Sequence, residues 1–312
     1  MNGGRGVAFD VLAELEAHGG EHYTPEEAYA WCRAYTKDRA SNFYYAFTIL
    51  PAAKRNAIYA AYAFSGYVDD IADELTDRSR QEHEIALARH RLAACYAGER
   101  QGPLFVALGD AIDRFAIPQP YFEELINGVE MDFTIDRYET WADLQLYCYR
   151  VASIVGQICV AIFGAKPHPR AAEFATSMGL GLQVVNIMRD VREDATRGRV
   201  YFPADELSAY GLAADDILDG RYDERFAAMM AAQGMRARHY FALGRNLLPL
   251  LDVRSRMCVN VLQGVYFELL KRIEARDYDV FSQRVGLSGP EKLSAIARLW
   301  LGAALLGRAR AG

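Results

Sequence analysis

Ten prolines punctuate this 312-residue chain, at positions 25, 51, 103, 118, 120, 167, 169, 203, 249 and 290. Proline lacks a backbone N–H and clashes with the preceding turn, so it is excluded from helix interiors but tolerated in the first turn. The tracts between the prolines are long and rich in Ala, Leu, Arg and Glu, all good helix formers. Thr24-Pro25-Glu26-Glu27 reads as a helix start, with a capping threonine, a proline in the first turn and a glutamate three residues after the cap. Residues 52–75, 141–164 and 170–195 carry apolar side chains at three- and four-residue intervals. No alternating strand or hairpin pattern is present. The prediction is an all-α chain. With 52% hydrophobic residues the core is ample. No linker-like stretch divides the sequence, so residues 23–306 are expected to form one helical domain with its site between helices. Residues 1–22 form an N-terminal extension and 307–312 a tail.

The formal net charge is −6, which argues against a nucleic-acid partner. The five cysteines (Cys32, Cys95, Cys148, Cys159 and Cys258) are scattered and odd in number, without a C-x-x-C pair. Free thiols in a reducing, cytoplasmic setting are expected. The N-terminal stretch lacks the long apolar run of a signal peptide. The most apolar segments, 151–165 and 295–307, are shorter than the roughly 18–20 residues that span a bilayer. The last segment ends in arginines. It is expected to dock as a final helix, with peripheral contact to the inner membrane face as its alternative use. The sequence leaves the oligomeric state open.

Two acidic segments point to chemistry. The first is Asp69-Asp70-Ile71-Ala72-Asp73-Glu74 and the second Asp190-Val191-Arg192-Glu193-Asp194. Each sets two carboxylates four residues apart, on one helical face, where like charges repel. A divalent cation resolves that repulsion, and magnesium is commonly shared between carboxylates and substrate phosphates. Asp69, Asp70 and Asp73 close an otherwise apolar and aromatic helix. Acidic groups there oppose the helix macrodipole, so a merely solvated terminus is a poor explanation. On the second segment Gln183, Asn186, Asp190 and Asp194 form a polar stripe flanked by Val184, Val185, Ile187 and Met188. Such a stripe is costly to bury unless it faces a wet, charged space. Arg189, Arg192, Arg197 and Arg199 lie close by and suit phosphate oxygens. The plainer alternative is salt bridging within the helix, as between Arg189 and Glu193. Together the two segments predict a metal–diphosphate site.

With SNFYYAF, VDDIADE, YCYRVASIVG, NIMRDVREDATRGRVYFP and YFELLKRIEARDYDVFSQRVGLS in this order, the chain resembles the squalene/phytoene synthase family. The likeness runs over residues 40–298. It implies a type I terpenoid (isoprenoid) synthase helical bundle with a central cavity, in which two allylic diphosphates are condensed head to head. It implies Mg2+, or Mn2+ in its place, held by Asp69, Asp70, Asp73, Asn186, Asp190 and Asp194. Tyr147 resembles a family tyrosine beside the reacting carbons, with Asp69 and Asp190 as the leading catalytic carboxylates. Ser41, Tyr62, Gln183, Asn186, Arg189, Arg199, Tyr201, Tyr266 and Arg284 are the implied substrate contacts. The aromatics of residues 43–47, with Tyr59 and Phe64, are wall candidates, plain core packing being the alternative for each.

One departure stands out. The family usually carries an arginine three residues before the first aspartate, and here that residue is Gly66. Two phosphate-facing serines are likewise replaced by Ala40 and Asn42. Lys54 and Arg55 are the candidate substitute cations, though each lies two or more helical turns away and is expected to face solvent, and Gly66→Arg is expected to strengthen substrate binding. The segments 147–165 and 277–288 favour the squalene branch, with two farnesyl diphosphates joined to presqualene diphosphate and, as a further step, reduced on to squalene. Phytoene synthesis from two geranylgeranyl diphosphates is the alternative. NADPH has no recognisable site. A non-catalytic helical assembly factor and a terpene cyclase are the readings of other classes.

Overall fold

The Thr24 start forms as read. Thr24 N donates to Glu27 Oε2 at 2.9 Å and Glu27 N donates to Thr24 Oγ1 at 3.3 Å, opening helix α1 (Pro25–Arg39). The computed structural model describes residues 12, 22–39, 41–286 and 291. After α1 come α2 (Ser41–Phe47), α3 (Ala52–Glu74), α4 (Arg78–Tyr96), α5 (Gly102–Phe115) and α6 (Gln119–Met131). Then follow α7 (Trp141–Cys148), a π-helical turn (Tyr149–Ser153) and α8 (Ile154–Phe163). The chain continues as α9 (Ala171–Thr196), α10 (Ala204–Ala209), α11 (Ala214–Leu218) and α12 (Glu224–Gly244). A 3-10 turn (Arg245–Leu250) leads into α13 (Val253–Glu274). Among the described residues there is no strand, only a single parallel bridge between Arg137 and Val200. The all-α prediction holds.

The chain divides into two compact units, Met1–Phe133 with Ala161–Phe163, and Thr134–Val160 with Gly164–Gly312. In the first, α1, α3 and α5 pack against one another. Fully buried Phe64 meets Phe122 edge to face at 5.2 Å, and Tyr67 meets Phe105 at 6.2 Å. Lys54, read as a spare cation, donates through Nζ to the Phe163 carbonyl at 2.6 Å. There it answers the negative end of a helix and is committed to structure.

In the second unit α9 is the central element, packed on α12, α13 and the π turn. Two extended stretches run side by side. Val200 N donates to the Asp136 carbonyl at 3.1 Å, and Ala204 N donates to the Tyr138 carbonyl at 2.9 Å. The Arg137 guanidinium adds a bond to the Gly198 carbonyl at 2.5 Å.

One expectation is corrected. Helix passes without a break through the π turn, so Trp141–Phe163 forms 23 continuous residues, long and apolar enough to cross a membrane by length and composition. The apolar run 151–165 begins inside this helix and ends two residues past it. Segment 295–307, the expected final helix with membrane contact as its alternative use, lies outside the described residues, as do most of residues 1–22 and the tail.

All five cysteines are free, four of them buried and Cys159 partly so. Burial pushes the Cys95 thiol up to about 11, so it is inert at neutral pH.

Candidate active site

The first acidic segment belongs to the first unit. Successive helical residues are rotated by about 100°, so its four carboxylates divide between two faces. Asp70 and Glu74 share one face, and a single Arg39 nitrogen reaches both at 2.9 Å. Tyr35 adds a long hydrogen bond from its hydroxyl to Asp70 Oδ2 at 3.4 Å. Burial raises the Asp70 carboxyl to about 7, with Arg39 opposing the shift and Glu74 adding to it. Asp69 and Asp73 take the other face. Asp69 is exposed, yet crowding by the surrounding protein, then the charges of Asp73, Asp132 and Asp70, push its carboxyl up to about 8. A cation bound beside these carboxylates would relieve that repulsion. Asp70, expected among the metal ligands, thus faces away from Asp69 and Asp73, and its Oδ2 meets Arg39 and Tyr35.

Gly66 has a steric cause. A Cβ at this position would lie 2.0 Å from the Tyr35 hydroxyl oxygen and 2.7 Å from its Cζ. Tyr35 is only 1% exposed and stacks on Trp31 at 6.0 Å, so moving it aside disturbs packed neighbours. The expectation that Gly66→Arg would strengthen binding meets a steric obstacle here. Any side chain at residue 66 displaces the tyrosine that supports Asp70. Tyr62 is half-buried one turn earlier. The helix containing Ser41 is described, but its side chain, those of Asn42 and Phe43, and all of Ala40 lie outside the described residues. Tyr59 (1% exposed) and Phe64 (0%) are core residues, so the packing alternative holds for both.

The second acidic segment lies on α9. Arg189 is not paired with Glu193 as the salt-bridge alternative supposed. It grips its neighbour Asp190 with two nitrogens, one of them Nε at 2.7 Å. Arg284 instead takes Glu193 at 3.0 Å and approaches Asp190 at 3.9 Å. Tyr266 is buried, and burial raises its hydroxyl pKa while Arg189 and Asn186 hold it down. Asn186 donates through Nδ2 to Gln183 Oε1 at 3.2 Å, and its Oδ1 is buried without a hydrogen-bond partner. An orphaned carbonyl oxygen beside carboxylates is a hard donor of the kind magnesium takes. Asp194, Arg199 and Tyr201 line one small cavity together with Ile187 and Val191.

No group of three His, Cys, Asp or Glu among the described residues is placed to hold a cation alone. Within the second unit, two carboxylates and an amide oxygen on α9 are donors that fit a magnesium ion drawing its remaining ligands from phosphate and water; within the first, the carboxylate pair Asp69 and Asp73 on α3 is a donor set of the same kind.

Tyr147 ends α7 in the second unit. Its ring stacks on Tyr201 at 5.2 Å, and the two hydroxyls meet at 3.3 Å. Tyr138 completes the cluster, 5.7 Å from Tyr147 and 6.0 Å from Tyr201. All three are at least nine-tenths buried.

The sequence pattern of the squalene/phytoene synthase family matches residues 36–291. The chain belongs to that family. It is 35% identical to the 15-cis-phytoene synthase of Synechocystis sp. over 292 residues, covering 90% of this chain and 87% of that protein. It is 37% identical to the phytoene synthase of Mycobacterium tuberculosis over 277 residues, covering 87% and 90%. Among solved structures, a dehydrosqualene synthase matches with a TM-score of 0.81 at 24% identity, covering 88% of this chain and 96% of that one. The squalene synthase HpnC of Alicyclobacillus acidocaldarius matches at 0.77 and 29% identity, covering 82% and 96%.

Sequence reasoning missed Asp132, Arg39, Tyr35 and Tyr138. Asp132 follows α6 and Arg39 ends α1, each far along the chain from the carboxylates it acts on. Tyr138 sits in an irregular stretch. No local spacing marks any of them.

Proposed function

We propose that this protein condenses two molecules of geranylgeranyl diphosphate head to head to phytoene, with magnesium as cofactor. The observation that carries the diphosphate chemistry is the second acidic segment, where Asp190, Asp194 and the unsatisfied Asn186 oxygen sit beside Arg189 and Arg284. A bound divalent cation supplies positive charge opposite the departing diphosphate. Arg189, Arg199 and Arg284 offer guanidinium forks to its oxygens. Asp69 and Asp73 bind a further share of the metal charge, which relieves their mutual repulsion. The faces of Tyr147, Tyr201 and Tyr138 favour an allylic cation by cation–π attraction, and their burial keeps water from it.

Phytoene is preferred to the squalene branch because the curated relatives at 35–37% identity carry that name. The likeness to the squalene synthase HpnC makes farnesyl diphosphate the second substrate to assay. The purified protein should be incubated with each diphosphate in magnesium buffer, with and without NADPH. Phytoene from geranylgeranyl diphosphate, without NADPH, is the expected product. Presqualene diphosphate or squalene from farnesyl diphosphate alone would move the protein to the squalene branch. No product from either would leave the assembly factor.

A further inference from the structure

The π turn between α7 and α8 is the least regular feature beside the proposed site. A π turn carries one residue more than the α-helix it interrupts, and such turns recur at functional sites. Here Ile154 N donates to the Tyr149 carbonyl across the turn. The α8 side is anchored in the core by Ile154, Ile158 and Ile162, each about 1% exposed. Against that anchor, removing one residue would rotate everything before the turn by about 100° and slide it by about 1.5 Å. Tyr147 lies two residues before the turn. In a plain α-helix its ring would leave the face it presents to Tyr201. Tyr201 has no matching freedom, because its extended stretch is hydrogen-bonded to residues 136–139.

What holds the turn in this form is α9. Gly179 lets the two backbones touch: a Cβ there would lie 2.5 Å from Ser153 Cα and 2.8 Å from the Ala152 carbonyl oxygen. These are backbone atoms, which do not swing aside as a side-chain tip does. Ser153 is fully buried and donates through Oγ to the Thr176 carbonyl at 2.9 Å. Gln157 Nε2 reaches Thr176 Oγ1 at 3.2 Å. The helix that carries Asp190 and Asp194 thus also fixes the turn that aims Tyr147.

We propose that the π turn, held against α9 by Gly179 and Ser153, sets the working position of Tyr147, and that Gly179 and Ser153 are positioning residues for the reaction. The inference rests on the reading of Tyr147 as a group beside the reacting prenyl carbons. The test combines Gly179→Ala, Ser153→Ala and Tyr147→Phe, singly and in pairs, assayed with geranylgeranyl and farnesyl diphosphates in magnesium buffer. Gly179→Ala should lower kcat on the order of 100-fold, the cost of a misplacement near 1 Å, with KM within about 3-fold. Ser153→Ala adds no volume and should lower kcat roughly 3- to 10-fold, as one lost hydrogen bond does. It carries the test if the alanine at 179 prevents folding. In the Tyr147→Phe background either change should cost less than about 3-fold further, because both act through that tyrosine. Undiminished turnover by Tyr147→Phe would overturn the role of Tyr147 and this inference with it. A slow Tyr147→Phe enzyme in which the other losses multiply in full, or fall on KM, would overturn this inference alone.

Discussion

Gly66 offers a direct test of the packing around the first acidic segment. In Gly66→Ala and Gly66→Arg the new Cβ starts 2.0 Å from the Tyr35 hydroxyl oxygen and 2.8 Å from Cε1, so the ring must move by more than 1 Å in either variant. Overpacking of a buried site costs about 1–3 kcal/mol. The Tyr35–Asp70 hydrogen bond, already long at 3.4 Å, contributes about 0.5–1 kcal/mol that is lost as the ring shifts. Removing a glycine from a helix interior returns about 0.5–1 kcal/mol. The net expectation is a loss of about 1–3 kcal/mol in both variants. It should appear as a lower urea midpoint, followed by far-ultraviolet circular dichroism, at an unchanged slope. Tyr35→Ala should open the space. Gly66→Arg in that background should cost at least about 1 kcal/mol less than in the parent. If Gly66→Ala and Gly66→Arg unfold at the parental midpoint, or if the pair is strictly additive, Tyr35 is not what keeps residue 66 a glycine.

Two other perturbations probe charge. Asp69 is disfavoured in its ionised form, so Asp69→Asn should stabilise the protein in EDTA, by about 1 kcal/mol once solvent screening of an exposed group is allowed for. The same variant should lose turnover, and magnesium with a non-hydrolysable prenyl diphosphate analogue should raise the parent's melting temperature but not the variant's; a melting temperature below the parent's in EDTA would contradict the repulsion argument. In the second unit Arg236 stacks over Trp141 at 3.9 Å and takes both oxygens of Glu206, which Gln233 also reaches at 2.7 Å. Burial alone would raise the Glu206 carboxyl, but the bonds from Arg236 and Gln233 outweigh it and the net direction is down. A lowered carboxyl contributes stability above its unfolded value of about 4.3 and loses it as pH falls through the folded one. Arg236→Lys should therefore destabilise by about 1–3 kcal/mol at neutral pH, through the broken bidentate pair, and the gap to the parent should shrink as pH falls below the unfolded carboxyl value; a gap that is constant with pH would point to packing on Trp141 instead.

Much of this protein was legible because its signals are local. Proline exclusion, the Thr24 cap and three- to four-residue apolar spacing act within a turn or two of chain, so the helices followed from sequence. The same holds for the polar stripe of α9, where Gln183, Asn186, Asp190 and Asp194 share a face through helical geometry alone. Spacing also put Asp69 with Asp73 on one face of α3 and Asp70 with Glu74 on another. It did not say which face would receive a cation from the protein itself. That was decided by Arg39 and Tyr35, brought in from α1, and their arrival also explains why residue 66 has no side chain. Tyr147 was found by resemblance, but its partners Tyr201 and Tyr138 meet it only because two extended stretches far apart in sequence are hydrogen-bonded together. Even the π turn has no signature in YRVAS that an α-helix would not share, since its stabilising contacts come from the backbone of α9 at Gly179. Periodicity fixes what a helix offers on each face; close packing between distant segments fixes what each face meets.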